Sequence, residues 1–469
     1  MKGKAMNRNV FNVMSYGAAA DGKTKDTGAF AKAITAAAQA GGGIVLAPAG
    51  TYLSGPITML SNVELRTEKG TLVQFSKDYA DYPLVVGSWE GLKAVRCTSP
   101  INSAGQVNIA ITGQGVFDGA GEAWRPVKKM KLTGEQWAAL LAKGGVLEPS
   151  GNIWWPTEAG MRGSEYVKKL RGEGREHDTG AHEPIHEYLR PVLVSLAECS
   201  NIVLDGPTFQ NSPGWNVHPL LCENVTIRNV SIKNPWWSQN GDGLDLDSCR
   251  NAVVADSYFD VGDDAICIKS GKDAEGRKRN RPCENINIVN CTVIHGHGGV
   301  TIGSEMSSGV RNVTVTNCDF RTTDVGLRFK TTRGRGGTVE NIRISNVTMS
   351  GIKGEAISLD MYYAVGNKVD KSRTPHEVDE GTPRFRNIHI SNITCDGAKR
   401  AMVLRGLPEM PIEAVTLEHA NITADEGILC MYAKNIHFRD VRIVTKTERP
   451  FVADEVEGLE TSRLDVRVV

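Results

Sequence analysis

Two adjacent carboxylic acids open the run Gly262-Asp263-Asp264-Ala265-Ile266-Cys267-Ile268-Lys269-Ser270-Gly271. Held side by side they repel, and repulsion splits their pKa values. One can then keep a proton while the other is ionised, as general acid and general base catalysis require. Gly-Asp-Asp is also ordinary turn composition, so the pair gains meaning from what surrounds it. Asp242, in Gln239-Asn240-Gly241-Asp242-Gly243-Leu244-Asp245, precedes Asp263 by 21 residues. His297 lies 33 residues after Asp264, Arg328 another 31 on, and Tyr363 another 33 beyond Lys330. Singly, a histidine between glycines suits a turn and Arg-Phe-Lys suits a solvated edge. At a common spacing they make a candidate site. Paired carboxylates flanked by cations suit hydrolysis of a glycosidic bond next to an acidic sugar. Arg328 and Lys330 would hold the sugar carboxylate by charge-assisted hydrogen bonds. No serine or cysteine nucleophile with a base at a recognisable spacing is evident.

Such a spacing needs a repeating scaffold, and one phrase recurs: an asparagine followed by alternating β-branched residues. It begins at Asn108, Asn201, Asn224, Asn251, Asn285, Asn312, Asn341, Asn387 and Asn435. A unit of about 21–29 residues with occasional insertions, holding short strands, predicts an all-β chain: a right-handed parallel β-helix (a solenoid) in which each repeat is one coil. Asparagine suits the bends because it tolerates the left-handed region and can ladder with the next coil. Asp242 should then lie one layer from Asp263, with later coils delivering polar groups to the same column.

Residues 1–60 are expected to cap the solenoid. Val10 to Tyr16 predicts a strand, and Thr27 to Ala40 a helix with Asp26 as N-cap and a glycine stop. Residues 61–469 then form one continuous catalytic β-helix with a loop and helix insertion at 122–190. There Thr133-Gly-Glu-Gln136 has the capping-box pattern, and Trp124, Trp137, Trp154 and Trp155 punctuate the stretch. That insertion would be a cleft wall or an oligomer contact. A second one, Gly271 to Pro282, is basic and would be either a solvated loop or a guide for an anionic substrate.

Composition sets limits. Lys+Arg and Asp+Glu both number 54, so charge gives no reason to expect nucleic acid or a membrane surface as partner. The ten cysteines lack metal spacing and are expected to be small buried thiols. Without an apolar leader core the expected location is cytoplasmic, or periplasmic or secreted if a leader has been removed. Oligomerisation stays open.

At this point the chain resembles the polygalacturonases, the pectin-degrading glycoside hydrolases of family 28, and most closely their bacterial exo-acting members. The resemblance rests on Asn240-Gly-Asp242-Gly243, Gly262-Asp263-Asp264, Gly296-His297-Gly298 with Ile302-Gly303-Ser304, and Arg328-Phe-Lys330. It implies an inverting hydrolase of α-1,4-galacturonosyl bonds that needs no cofactor or metal, with a pectic oligo- or polysaccharide as substrate. It also implies Asp263 as general acid, Asp242 and Asp264 activating water, and His297 supporting the acid. Arg328 and Lys330 would bind galacturonate, with Asn240, Tyr363 (or its neighbour Tyr362), Lys269, Glu305 and His218 as further binding residues. Two departures stand out: Gly241 replaces the usual threonine, and one extra residue separates His297 from Ser304. The insertions and Glu305 resemble exo-acting members, while Arg328 and Lys330 argue against the rhamnogalacturonan-cleaving branch. Three other readings remain: a hydrolase of rhamnogalacturonan or other substituted pectin, a calcium-dependent pectate lyase using Asp242, Asp245, Asp263 and Asp264, and a non-catalytic β-helical carbohydrate-binding protein.

Overall fold

The computed structural model describes residues 9–363 and 373–469, so residues 1–8 of the expected cap lie outside the described residues. It divides into two compact units, residues 1–88 with 93–241 and residues 89–92 with 242–469. Each is a parallel β-helix whose strands pair with the equivalent strand one coil along.

In the first unit one ladder runs through Val10–Asn12, Gly43–Ala47, Val63–Thr67, Val107–Gly113, Ser200–Asp205 and Glu223–Arg228. The helix Thr27–Gln39 buries Ala29, Phe30, Ala33, Ile34 and Ala37, a face spaced at helix period. Phe30 meets Tyr52 edge-on, with ring centroids 5.6 Å apart. Two expectations fail at this end. The Val10 strand stops at Asn12, whose side chain caps a 3-10 turn, Val13–Tyr16, by accepting from Met14 N. Asp26 sits at the helix N-cap, but its carboxylate accepts from Ala19 N (2.6 Å) and Ala20 N (3.1 Å) instead. Those amides end the preceding turn, and they compete successfully for the same acceptor.

The 122–190 insertion also belongs to the first unit. Its helix Gly134–Leu141 carries the capping box: Gln136 N donates to Thr133 Oγ1 and Thr133 N to Gln136 Oε1. A longer helix, Glu158–Gly172, follows, capped by Thr157. The tryptophans are mostly structural. Trp124 packs with Tyr82, Val95, Cys97, Ile185 and Leu189, while Trp137 and Trp154 pack with Val127.

In the second unit the ladder that matters runs through Leu244–Asp247, Asp264–Lys269, Gly298–Gly303, Leu327–Lys330 and the ends of Thr338–Asp360 and Arg384–Arg405. Ile266, Val300, Leu327, Ile357 and Met402 are register partners and fully or almost fully buried, a continuous apolar stack along the interior. Each such side chain contributes roughly 1.5–3 kcal/mol. The nine marker asparagines all sit at φ between 53° and 59°. Their side chains ladder from Asn62 to Asn224 in the first unit and from Asn251 to Asn387 in the second, at 2.6–3.2 Å. All ten cysteines are buried free thiols. Among the described residues no helix is long and apolar enough to cross a membrane.

Candidate active site

The acids stand at the start of a strand that is buried along its whole length, Asp264–Lys269. Leu244 pairs with Ile266, and Gly243 N donates to Asp264 O, so the lateral partner of Asp242 is Asp264, one place from the expected Asp263. Asp264 in turn pairs with Gly298, which sets His297 beside Asp263. Arg328 pairs with Thr301, not with His297, and Lys330 pairs with Gly303. The site is therefore no single column. Adjacent columns send side chains towards Asp264.

Asp264 has three side-chain donors. Lys330 Nζ donates to Oδ2 at 2.6 Å, and Thr301 Oγ1 (3.0 Å) and Arg328 Nη1 (3.3 Å) donate to Oδ1. Its side chain is 2 % exposed. Burial alone would raise its pKa, but the charges of Lys330 and Arg328 outweigh burial and hold it well below the usual carboxylate range. Asp242 goes the other way. Only 4 % of its side chain is exposed, and burial together with the charges of Asp245 and Asp263 pushes it well up. Ligand atoms of Asp242, Asp264 and Cys267 all lie within 4.8 Å of one another.

Asp263 is the more open acid, its side chain 20 % exposed. Its Oδ1 accepts from its neighbour's amide, Asp264 N (3.0 Å), and lies 3.0 Å from His297 Nδ1. Burial raises Asp263, yet the hydrogen bond and charge of His297 prevail and lower it. Burial likewise pulls His297 down, and Asp263, Asp264 and Asp324 together lift it above the ordinary histidine value. The surroundings of Asp242 thus favour its protonated form, and those of His297 and Asp263 favour the charged pair.

The predicted binding residues separate into groups. The Tyr363 ring covers both cations, 4.9 Å from Lys330 Nζ and 5.6 Å from Arg328 Cζ. Tyr362 instead lies against Arg333 and Arg405. Lys269 departs from expectation. Its buried ammonium lies 2.9 Å from Asp245, 3.4 Å from Asp242 and 3.8 Å from Glu305, so it is a counter-ion to the acids. Glu305 is held low because Lys269, with Lys330 and Arg335, outweighs its burial. In the first unit, His218 is 2 % exposed and packs edge-on to Trp215. Asn240 Oδ1 accepts from Arg190 Nη2 at 3.0 Å. Arg190 also donates to Pro213 O and Gln239 O, and Arg125 donates to Ser212 O and Asn211 Oδ1. Buried arginines of the insertion thus brace the turns at Asn211 and Asn240. The basic insertion is not a free loop. It folds as the helix Asp273–Arg279, with Arg279 Nη1 3.0 Å from Asp247 Oδ1 and Arg277 Nη2 2.9 Å from Glu380 Oε1.

Residues 84–441 match the family described as Glycosyl hydrolases family 28. The chain belongs to that family. It is a glycoside hydrolase, and the acids just described lie within the matched span. Residues 10–72 match Rhamnogalacturonase A/epimerase, pectate lyase-like. A probable polygalacturonase of Vitis vinifera is 26 % identical over 420 residues, 88 % of this chain and 74 % of the relative. An exo-poly-alpha-D-galacturonosidase of Dickeya chrysanthemi is 28 % identical over 394 residues, 82 % of this chain and 62 % of the relative. Among solved structures, a hyperthermoactive exopolygalacturonase of Thermotoga maritima is 31 % identical with a TM-score of 0.75, covering 92 % of both chains. A family 28 exopolygalacturonase of Yersinia enterocolitica, at 22 % identity and TM-score 0.77 over 96 % of this chain and 78 % of that one, shares the fold.

Two residues beside the site of this family 28 hydrolase escaped sequence reasoning, and a third, Asp245, was read only as a calcium ligand. Thr301 holds Asp264, Asp245 holds Lys269, and Asp324 stands 3.6 Å from His297 Nε2. Register would have found Thr301 and Asp324, since each lies one coil from a residue already singled out.

Proposed function

We propose that this hydrolase cleaves α-1,4-galacturonosyl bonds of pectin-derived galacturonides, from the chain end, releasing galacturonic acid with inversion. The observation that carries the substrate is the cation pair Arg328 and Lys330 under Tyr363. One carboxylate, Asp264, faces two fixed cations, which leaves positive charge for a sugar carboxylate to neutralise. Tyr363 offers that sugar an aromatic face.

Inversion is supported by burial and spacing. Asp242 and Asp264 are too enclosed to attack a sugar carbon themselves. Carboxyl oxygens within 4.8 Å can share one water, which hydrogen-bonds to each at ordinary length. Asp264, held ionised, takes the proton of that water as it attacks, and Asp242 orients it. Asp263, with both its contacts made through Oδ1, presents Oδ2 to the leaving oxygen. Docking of an anionic sugar excludes water and adds negative charge, and both raise Asp263, so the proton moves to it from the coupled cluster. Asp263 donates it as the glycosidic bond breaks. A calcium-dependent elimination fits less well, because Lys269 and Lys330 already neutralise Asp245 and Asp264. End-on action is supported by the exo-acting names of the Dickeya and Thermotoga relatives.

The test is a time course on trigalacturonate and polygalacturonate with EDTA present, following reducing ends and product size. Monogalacturonate should be the sole early product. A spread of oligomers would overturn end-on action, and an unsaturated, ultraviolet-absorbing product would overturn hydrolysis. Turnover only of a rhamnose-containing pectin would overturn the substrate.

A further inference from the structure

We propose that Asp324, backed by Lys353, is a positioning residue that holds His297 in its doubly protonated form and so sets the alkaline limit of the reaction. The inference rests on the roles given above to Asp263 and His297. Register carries it first. Val300 pairs with Leu327, which places Asp324 one coil beyond His297, as His297 is one coil beyond Asp263. The backbone fixes that placement: Asp324 N donates to Gly296 O at 2.8 Å and Gly354 N to Asp324 O at 2.7 Å.

Side chains then form a line of alternating charge. Asp263 Oδ1 lies 3.0 Å from His297 Nδ1, and His297 Nε2 lies 3.6 Å from Asp324 Oδ2. Lys353 Nζ donates to Asp324 Oδ1 at 3.2 Å. A neutral imidazole has one N–H and can serve only one carboxylate, whereas the imidazolium serves both. With one carboxylate 3.0 Å from Nδ1 and a second at ion-pair distance from Nε2, the charged form of the imidazole is favoured. The other charged groups around it are fixed by their own partners. Asp264 is bound by Lys330 and Arg328, Arg328 also donates to His297 O, and His295 is paired with Asp260. Asp324 and Lys353 are the solvent-facing end of the line, with side chains 39 % and 62 % exposed. They can be changed without opening the buried acids.

The two partners make opposite predictions. Asp324→Asn removes the second carboxylate, so His297 should lose its proton at lower pH. Lys353→Met leaves that carboxylate uncompensated, so His297 should keep its proton to higher pH. Loss of local packing would move both variants the same way.

The experiment is an NMR titration of ¹³C-labelled histidine in the full chain, with His297 assigned by its absence in His297→Gln. It is paired with pH profiles of kcat/KM on trigalacturonate. The His297 midpoint should fall by about half a pH unit in Asp324→Asn and rise in Lys353→Met, and the alkaline limb should follow each. An unmoved midpoint in Asp324→Asn, or shifts of one sign in both variants, would overturn the proposal. Absence of galacturonide hydrolysis at every pH would overturn the proposed function instead, while the midpoints would still decide the role of Asp324.

Discussion

Lys330 and Asp264 lie 2.6 Å apart, almost out of contact with water. A buried pair of this kind is costly to break, because removing one partner strands the other charge. Lys330→Met should therefore destabilise the protein by about 3–5 kcal/mol, measured by denaturant unfolding near neutral pH. The pH dependence follows from the sign of the shift. Asp264 is depressed in the folded protein, so its contribution is present above its unfolded pKa and lost as pH falls through the folded one. Without Lys330, burial raises Asp264, which then favours the folded state more as it protonates. The stability gap between wild type and variant should accordingly shrink towards acid pH. A gap that stayed constant would mean that Lys330 acts through packing alone. Asp263, Arg328 and Lys330 were legible as candidates by residue type because the proposed chemistry needs acids and cations together. The burial of Lys269 was not, since nothing in a sequence shows that one ammonium will be shared by Asp242, Asp245 and Glu305.

At the scale of elements, the asparagine turns hold neighbouring coils in register. Asn312 has φ 57°, donates to Asn285 at 3.1 Å and accepts from Asn341 at 3.2 Å. Asn312→Ala loses both hydrogen bonds and the side-chain amide that eases the left-handed conformation, and should cost about 2–3 kcal/mol. Asn312→Gly keeps the backbone freedom and should cost less, by about 1 kcal/mol. Chemical denaturation of the two variants checks this, and equal losses would show that the backbone conformation is not what the asparagine supplies. The same markers explain what the sequence showed and what it hid. Asn285 to Asn312 is 27 residues, and so is His297 to Asp324, while Asn251 to Asn285 and Asp263 to His297 are both 34. Counting from the asparagines gives the true lateral partners. Counting from one charged residue to the next instead aligns Arg328 with His297, when its partner is Thr301.

At the scale of the whole molecule, the β-helix was legible because its grammar repeats, in each unit, as an asparagine bend followed by a buried alternating strand. Within the insertions only the capping box at Thr133 announced a helix, and the rest was legible as interruption. The helix Glu158–Gly172 is mostly polar and buries little beyond Gly160, Gly163 and Leu170, so no apolar stripe announced it. The basic stretch after Gly271 suggested a surface for anions by composition, but Arg279 and Arg277 are committed to Asp247 and Glu380 of the same unit. Composition counts charges without showing their partners. The central claim, that a water held between Asp242 and Asp264 attacks while Asp263 protonates the leaving oxygen, is tested most directly by the anomer first released. Proton NMR of trigalacturonate during its first turnovers, faster than mutarotation, should show β-galacturonic acid at the newly formed reducing end. The α-anomer appearing first would contradict the account, because it would require an acid of the site to attack the sugar itself.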